Sequence, residues 1–399
     1  MFTPPNKHIE KFTPPTSPLF STPLQKKFVN KDKSNGYLAT PDTSIDISEI
    51  DTSIDTSIDT SIDTNYNDSP YISPIAEQQF DSENVIKNLP VCSNHSIDDL
   101  IADVQDCLLD HYQFEYNRSL IGQGSFSNIH RCEVKGFGDL KTLFAIKMPK
   151  SWRKVKPIYK ELLNFKLISK ILINNRLNME DSPFINCYGL IFTNWIINYH
   201  KMDNLPCLIL SCLDTDLKKL IHSKKFATHN GYNLVIGSKL WWKLAKVLMD
   251  GLKILKLSSL IHMDFKTSNI LYDSSEEIFK ICDLTSASSI EDLKSINFEN
   301  LELTLQYCSP ELITNKSTPT FESDLYAVGL ILLSAAIGEE PYEQLLKSKG
   351  NSIVLLNECI KKNKILEVLS IDSCKILESN PKEFSLIKSI LIDRIEPII

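Results

Sequence analysis

The period of the apolar positions changes along the chain, and each change marks an element. Leu143–Met148 and Pro206–Leu213 are almost continuously apolar, as buried strands are. Over Tyr159–Ile173 and Leu240–Leu260 the apolar residues recur three and four apart, which predicts helices with one face on a core. Ile270–Tyr272 and Ile278–Ile281 are short β-type runs split by the turn-like Asp273-Ser274-Ser275-Glu276-Glu277, which predicts a hairpin. The longest apolar run, Tyr326–Gly338, is too short to span a bilayer and fits a buried helix. Helical spacing also links Ile97, Leu100, Ile101, Val104, Leu108 and Leu109, either as a helix packed on the core or as a frayed linker.

Upstream of these residues the pattern fails. Ten of the nineteen prolines lie in residues 1–90, whereas only Gly36 of twelve glycines and none of four tryptophans precede residue 110. Such a segment cannot bury enough apolar area to offset its ordering entropy. Residues 1–95 are therefore expected to be a disordered Pro/Ser/Thr-rich regulatory tail, and 96–399 the folded domain. Ser-Pro or Thr-Pro occurs at Thr3, Thr13, Ser17, Thr22, Thr40, Ser69 and Ser73. Proline keeps the residue before it out of a helix, so these sites stay open to an upstream proline-directed kinase; an ordinary Pro-rich tail is the plainer alternative. Thr13 and Ser17 stand four apart in Phe12-Thr13-Pro14-Pro15-Thr16-Ser17-Pro18, and two phosphates at that spacing can dock into an arginine cluster. The segment resembles the doubly phosphorylated degrons read by F-box ubiquitin-ligase receptors. Thr-Ser-Ile-Asp recurs at Thr43–Asp46, Thr52–Asp55, Thr56–Asp59 and Thr60–Asp63. It is too short for a solenoid and reads as a spacer.

Charge and cysteine usage narrow the setting. A net charge of −7 and a pI near 5.7 argue against a nucleic-acid surface. Ten cysteines without a Cys-x-x-Cys pair fit a reducing, intracellular location, cytoplasmic or nuclear. Met1-Phe2-Thr3-Pro4-Pro5 has neither a signal-peptide pattern nor the glycine that myristoylation requires, so no membrane partner is expected.

The candidate chemistry centres on His262-Met263-Asp264-Phe265-Lys266-Thr267-Ser268-Asn269, with Asp283 fourteen positions after Asn269. One carboxylate, Asp264, can orient an attacking hydroxyl and accept its proton. Lys266 can offset charge on a moving phosphoryl group, and Asn269 with Asp283 can hold Mg2+ against nucleotide phosphates. Farther upstream, Ile121-Gly122-Gln123-Gly124-Ser125-Phe126-Ser127-Asn128-Ile129 has two glycines that let backbone approach phosphate oxygens. Lys147, in Phe144-Ala145-Ile146-Lys147, follows Gly122 by twenty-five residues.

In order and spacing these motifs resemble the eukaryotic protein kinases. The resemblance implies an α+β, two-lobed fold after the tail, with a small β-rich N-lobe over about 113–210 and a larger helical C-lobe over about 211–399. It implies ATP and Mg2+ as cofactors and protein substrates as partners. Ile121, Gly122, Gly124, Ser125, Phe126, Ile129, Ala145 and Lys147 fall at nucleotide-binding positions, with Glu161 as the partner of Lys147. Leu210 falls at the back of the adenine pocket, and backbone at Ser211 and Leu213 on the adenine edge. Asp264 takes the place of the base, Lys266 of its charge partner, and Asn269 and Asp283 of the metal ligands. The Asp-x-Lys-x-x-Asn form and Thr304 are those of serine/threonine kinases. Asp324 is implied to anchor the catalytic loop, and Glu311 to pair with Arg394. Trp241 and Trp242 read as core. With Pro319–Leu330, the two tryptophans and Thr13–Pro18, the chain also resembles one small fungal group of such kinases, which implies a role in signalling near the protein kinase C and cell-wall pathway.

Three departures bear on activity. Met263 replaces the arginine of His-Arg-Asp, so control by activation-loop phosphorylation is not expected. Leu284-Thr285 replaces Phe-Gly after Asp283, restricting the backbone flip linked to an inactive state, and Ser127 replaces a third glycine. A catalytically weak scaffold with the same fold is the alternative reading. Cys282 falls where some kinases carry an alkylatable cysteine; a small buried side chain is the plainer alternative.

Overall fold

A computed structural model describes residues 114–134, 143–177, 181–197, 200–227, 231–295, 301–347 and 352–397. The tail, its Ser-Pro and Thr-Pro dipeptides, the tetrapeptide repeat and the periodicity at 97–109 lie outside the described residues.

The smaller lobe is a five-stranded antiparallel sheet with one helix. Its elements are β1 (Phe114–Gln123), β2 (Ser127–Val134), β3 (Leu143–Pro149), α1 (Val155–Asn174), β4 (Cys187–Ile197) and β5 (His200–Ser211), with strand order β1-β2-β3-β5-β4. In α1, Val155, Ile158, Leu162, Phe165, Ile168 and Leu172 repeat every three or four residues, and this stripe is buried where the helix meets β4 and β5. Central β3 is buried from Phe144 to Pro149, which explains why its sequence runs apolar instead of alternating.

The segment Ser182–Gly189 that leads into β4 is only partly strand. The ladder starts at Cys187, because Pro183 has no N–H to give it. Instead Pro183–Ile185 reach the larger lobe, where Ile281 N–H donates to the Pro183 carbonyl at 2.7 Å and Ile185 N–H to that of Ile281 at 2.9 Å.

The larger lobe begins with β6 (Thr215–Asp216), α2 (Leu217–Ala227) and α3 (Ser238–Leu257). Then come β7 (Leu260–Ile261), β8 (Ile270–Asp273), β9 (Ile278–Ile281), β10 (Ser288–Ser289) and the one-turn α4 (Ile290–Leu293). The chain continues through α5 (Pro310–Asn315), α6 (Phe321–Ile337), α7 (Glu343–Lys347), α8 (Ser352–Lys361), α9 (Ile371–Ser379) and α10 (Pro381–Leu391). The lobe is organised around α6, buried continuously from Ser323 to Ile337. Only a helix with neighbours on all sides can be apolar all round. A reciprocal Thr320–Ser323 cap starts it, and Gly338 ends it in the left-handed conformation at φ 76°.

Two features of α3 differ from the sequence expectation. It stops at Leu257, because Ser258 turns both its N–H and its hydroxyl onto the Ile254 carbonyl and Ser259 adopts φ 53°. Of its tryptophans only Trp241 is core, donating to the Leu332 carbonyl at 2.9 Å. Trp242 is half-buried and donates to Glu383 at 2.9 Å. Gly251 sets the approach of α3 to β9, since a Cβ there would collide with Ile281 Cδ1. That close approach seats the strand leading directly into Cys282 and Asp283.

Candidate active site

One half of the site is built across the two lobes. β3 delivers Lys147 and α1 delivers Glu161, with the ammonium 2.7 Å from Glu161 Oε2 and both side chains almost fully buried, at 4% and 0% exposure. The same ammonium donates to Asp283 Oδ1 at 2.8 Å and to Thr285 Oγ1 at 2.8 Å. Burial works against the charge on Lys147, but Asp283 and Glu161 outweigh it and hold its pKa above the ordinary lysine value. Burial likewise opposes ionisation of Asp283, and Lys147 outweighs it with help from the Thr285 hydrogen bond, leaving this carboxyl well below its usual range. Both groups are therefore charged at neutral pH.

The other half is local to one loop. After β7, Asp324 at the start of α6 accepts the N–H of His262 at 2.6 Å and that of Met263 at 3.0 Å. These bonds turn the backbone sharply, and Met263 takes φ 67°. The turn presents Asp264, whose Oδ1 accepts from the Thr304 hydroxyl at 2.7 Å. Its Oδ2 accepts from Lys266 at 2.6 Å and from the Asn269 amide at 3.1 Å. Burial pushes the Asp324 carboxyl up to about 7, against the lowering effect of its two backbone donors. His262 is fully buried and stacked on Phe265 with ring centroids 4.2 Å apart. Burial lowers its pKa, so the neutral ring is a packed support for the loop.

The halves meet where Cys282 N–H donates to the Asn269 carbonyl at 2.9 Å, which brings Asn269 and Asp283 together. Asn269 spends its amide N–H groups on Asp264, and Asp283 spends Oδ1 on Lys147. Among the described residues, Asn269 Oδ1 and Asp283 Oδ2 accept no hydrogen bond. An amide oxygen and a carboxylate oxygen suit a hard divalent cation that takes its other ligands from phosphate. Among the described residues no group of three or more His, Cys, Asp or Glu could hold a metal without such help.

Ile121 and Gly122 lie at the end of β1, Gly124, Ser125 and Phe126 on the turn that follows, and Ile129 near the start of β2. Gly124 N–H closes that turn on the Ser127 carbonyl at 2.9 Å, and Lys154 sits 4.6 Å over the Phe126 ring. Ala145 is buried and pairs with Leu210 across β3 and β5. At the expected adenine edge, Ser211 N–H is already given to the Asn186 carbonyl at 2.9 Å. The half-buried Leu213 follows the end of β5. Burial raises the Cys282 thiol well above its ordinary pKa, with Asp283 adding to the effect, which disfavours the reactive thiolate.

Sequence reasoning missed two supporting groups. Asn164 donates to the carbonyls of Leu284 at 3.1 Å and Ala287 at 2.9 Å. Its signal was there: an amide on the apolar face of α1. Glu340 accepts from the hydroxyls of Thr267 at 2.6 Å and Tyr307 at 2.8 Å, tying the loop that carries Asp264 to the turn after Thr304. Nothing in its local pattern singled it out. The pairing of Glu311 with Arg394 is present, and Arg394 also stacks 4.3 Å over Tyr326.

Residues 116–394 match the protein kinase domain family. The chain is similar to the serine/threonine-protein kinase ISR1 of Saccharomyces cerevisiae, at 30% identity over 79% of this chain and 74% of that protein. It is 28% identical to the ISR1 kinase of Eremothecium gossypii over 55% of this chain and 61% of that relative, a little under two thirds of its length. Mitogen-activated protein kinase kinase 1c of Physcomitrium patens is 26% identical over 50% of this chain and 53% of its own.

Proposed function

The chain belongs to the protein kinase family, and from that premise we propose that it transfers the γ-phosphoryl group of ATP to serine or threonine hydroxyls of protein substrates. The observation that carries the reading is the constellation around Asp264. Its carboxylate is charge-paired with Lys266, steadied by Thr304 and Asn269, and aimed by the α6 anchor Asp324. Asp264 orients the acceptor hydroxyl and takes its proton, while Lys266 offsets negative charge beside it. Lys147, held by Glu161, binds nucleotide phosphate oxygens, and the turn from Gly122 to Ile129 covers them. Asn269 and Asp283 would hold Mg2+, which would supply positive charge to offset that of the phosphates.

The tail adds control to this reading. Seven Ser-Pro or Thr-Pro sites make residues 1–95 a substrate for a proline-directed kinase, and phosphates on Thr13 and Ser17 would recruit an F-box receptor and set the protein's turnover. The similarity to two fungal serine/threonine kinases supports a place in fungal signalling, and ten cysteines without a Cys-x-x-Cys pair support a reducing, cytoplasmic or nuclear setting. Among the described residues no helix is long and apolar enough to cross a membrane.

The deciding experiment is phosphate transfer from Mg-ATP by the purified full chain, beside Asp264→Ala and Lys147→Met. Transfer to Ser or Thr that both substitutions abolish is the expected result. ATP binding without transfer to any generic protein substrate would favour the scaffold.

A further inference from the structure

Where the family has glycine after the metal-binding aspartate and its neighbour, this chain has Thr285, and its hydroxyl sits inside the Lys147 cluster. It accepts from the Lys147 ammonium at 2.8 Å and donates to Glu161 Oε2 at 3.0 Å. A hydroxyl can do both at once, because it has one proton and two lone pairs. Thr285 is 9% exposed and its φ is not positive, so the β-branched side chain is accommodated without left-handed strain. The backbone that carries it is fixed from α1. Leu284 N–H donates to Glu161 Oε1 at 3.2 Å, Asn164 holds the carbonyls of Leu284 and Ala287, and Lys160 reaches the Ser288 hydroxyl at 2.5 Å. Lys160 also reaches the Ser286 carbonyl at 3.4 Å; residues 160, 161 and 164 stand on one side of α1, so the helix grips the segment after Asp283 at five consecutive residues, 284–288.

We propose that Thr285 is a positioning residue, whose hydroxyl orients the Lys147 ammonium and couples α1 to the segment after Asp283. This rests on the kinase reading and deepens it. Lys147 has three N–H donors, and in the structure they go to Glu161, Asp283 and Thr285. Of these partners Asp283 is also the candidate metal ligand. With Asp283 engaged elsewhere, Glu161 and Thr285 still hold the ammonium on two sides, whereas glycine would leave Glu161 alone. Met263 removes the arginine that would read an activation-segment phosphate, and the Thr285 contact supplies an attachment between α1 and that segment that needs none.

The test compares the full chain with Thr285→Ser, Thr285→Val and Thr285→Ala by ATP affinity, KM for ATP and kcat. Valine keeps the shape and removes the hydroxyl, so ATP affinity falls by about 10-fold or more, the scale of one hydrogen bond to a charged group. Serine restores most of that loss, and alanine, which cannot clash, resembles valine. In nucleotide-free protein, urea unfolding of Thr285→Val, Glu161→Gln and the double variant gives a combined loss smaller than the sum. A flat series, or serine as weak as valine, overturns the proposal and leaves the kinase reading standing. ATP binding with the expected series but no phosphate transfer overturns the kinase reading and leaves the positioning role standing. Absence of ATP binding by the unmodified chain overturns both.

Discussion

The two halves of the site are held together by different means. Around Asp264 the partners are close in sequence: Lys266 is two residues away and Asn269 five, with Thr304 forty residues on in the same lobe. Around Lys147 the partners come from elsewhere, with Asp283 at a separation of 136 residues and Thr285 at 138. The first half is a local loop clamped to one helix and depends little on how the lobes are arranged. The second exists only while α1, β3 and the segment after β9 stay together. Chemistry is concentrated in the local half, and assembly in the distributed one.

Removing the central group of each half sharpens the contrast most. Lys147→Met leaves Glu161, at 0% exposure, as a buried carboxylate without its cation. Breaking a buried pair from one side costs about 3–5 kcal/mol, and ATP affinity is lost with it. Asp264→Asn keeps the size and most hydrogen bonds of a group whose cationic partner Lys266 is 26% exposed. It should cost no more than about 1 kcal/mol in stability, since partly exposed pairs contribute little, while slowing transfer by about 10²–10⁴-fold. Urea unfolding and phosphate transfer on the same preparations separate the two. Equal destabilisation by both variants would break the comparison.

The same contrast explains what the sequence disclosed. His262–Asn269 is contiguous, so the candidate loop could be picked out directly; Lys147 and Asp283 were picked out by their offsets and Glu161 by the family resemblance, and the structure brings these three together. The contributions of Asn164, Glu340 and Thr285 depend on contacts with residues from 33 to 138 positions away, which local periodicity does not encode. Boundaries slipped where one residue overrode the pattern. Pro183 delayed β4, and Ser258 ended α3 early. Trp242 looked like core because its neighbour is, but it is only half-buried and gives its indole N–H to the buried carboxylate of Glu383.

The anchors of the two halves should also respond oppositely to pH. Asp324 has a folded-state pKa of about 7, above its unfolded value of about 4. Its contribution to stability is thus fully present below about pH 4 and is lost as pH rises through about 7. Asp283 is shifted the other way, so its contribution is present above about pH 4 and is lost on acidification. Asp324→Asn, which cannot ionise, should flatten the fall in stability between pH 5 and 7 and leave the acid limb set by Asp283 unchanged. It should also slow transfer, because a carboxamide cannot accept both the His262 and the Met263 N–H with two oxygens. Melting temperature against pH for the two proteins checks this, and an unchanged slope from pH 5 to 7 would place the titration elsewhere.

The smallest expected effect lies outside both halves, at the Arg394–Glu311 pair. The side chains are 28% and 34% exposed, so the ion pair itself contributes little, about 0–1 kcal/mol. The stacking of the guanidinium over Tyr326, which lies in the buried helix α6, adds about 0.5–1 kcal/mol. Arg394→Lys retains the charge and loses the planar stack, while Glu311→Gln loses the charge and leaves the stack in place. If the ring contact matters more than the ion pair, Arg394→Lys should be the more destabilising of the two, by a margin of about 0.5 kcal/mol in urea unfolding. Neither variant should alter ATP affinity, because no bond from this pair reaches Lys147 or Asp283. A change in ATP affinity on either substitution would show that α6 transmits strain from this pair, and the local half of the site would then be less self-contained than its bond pattern makes it.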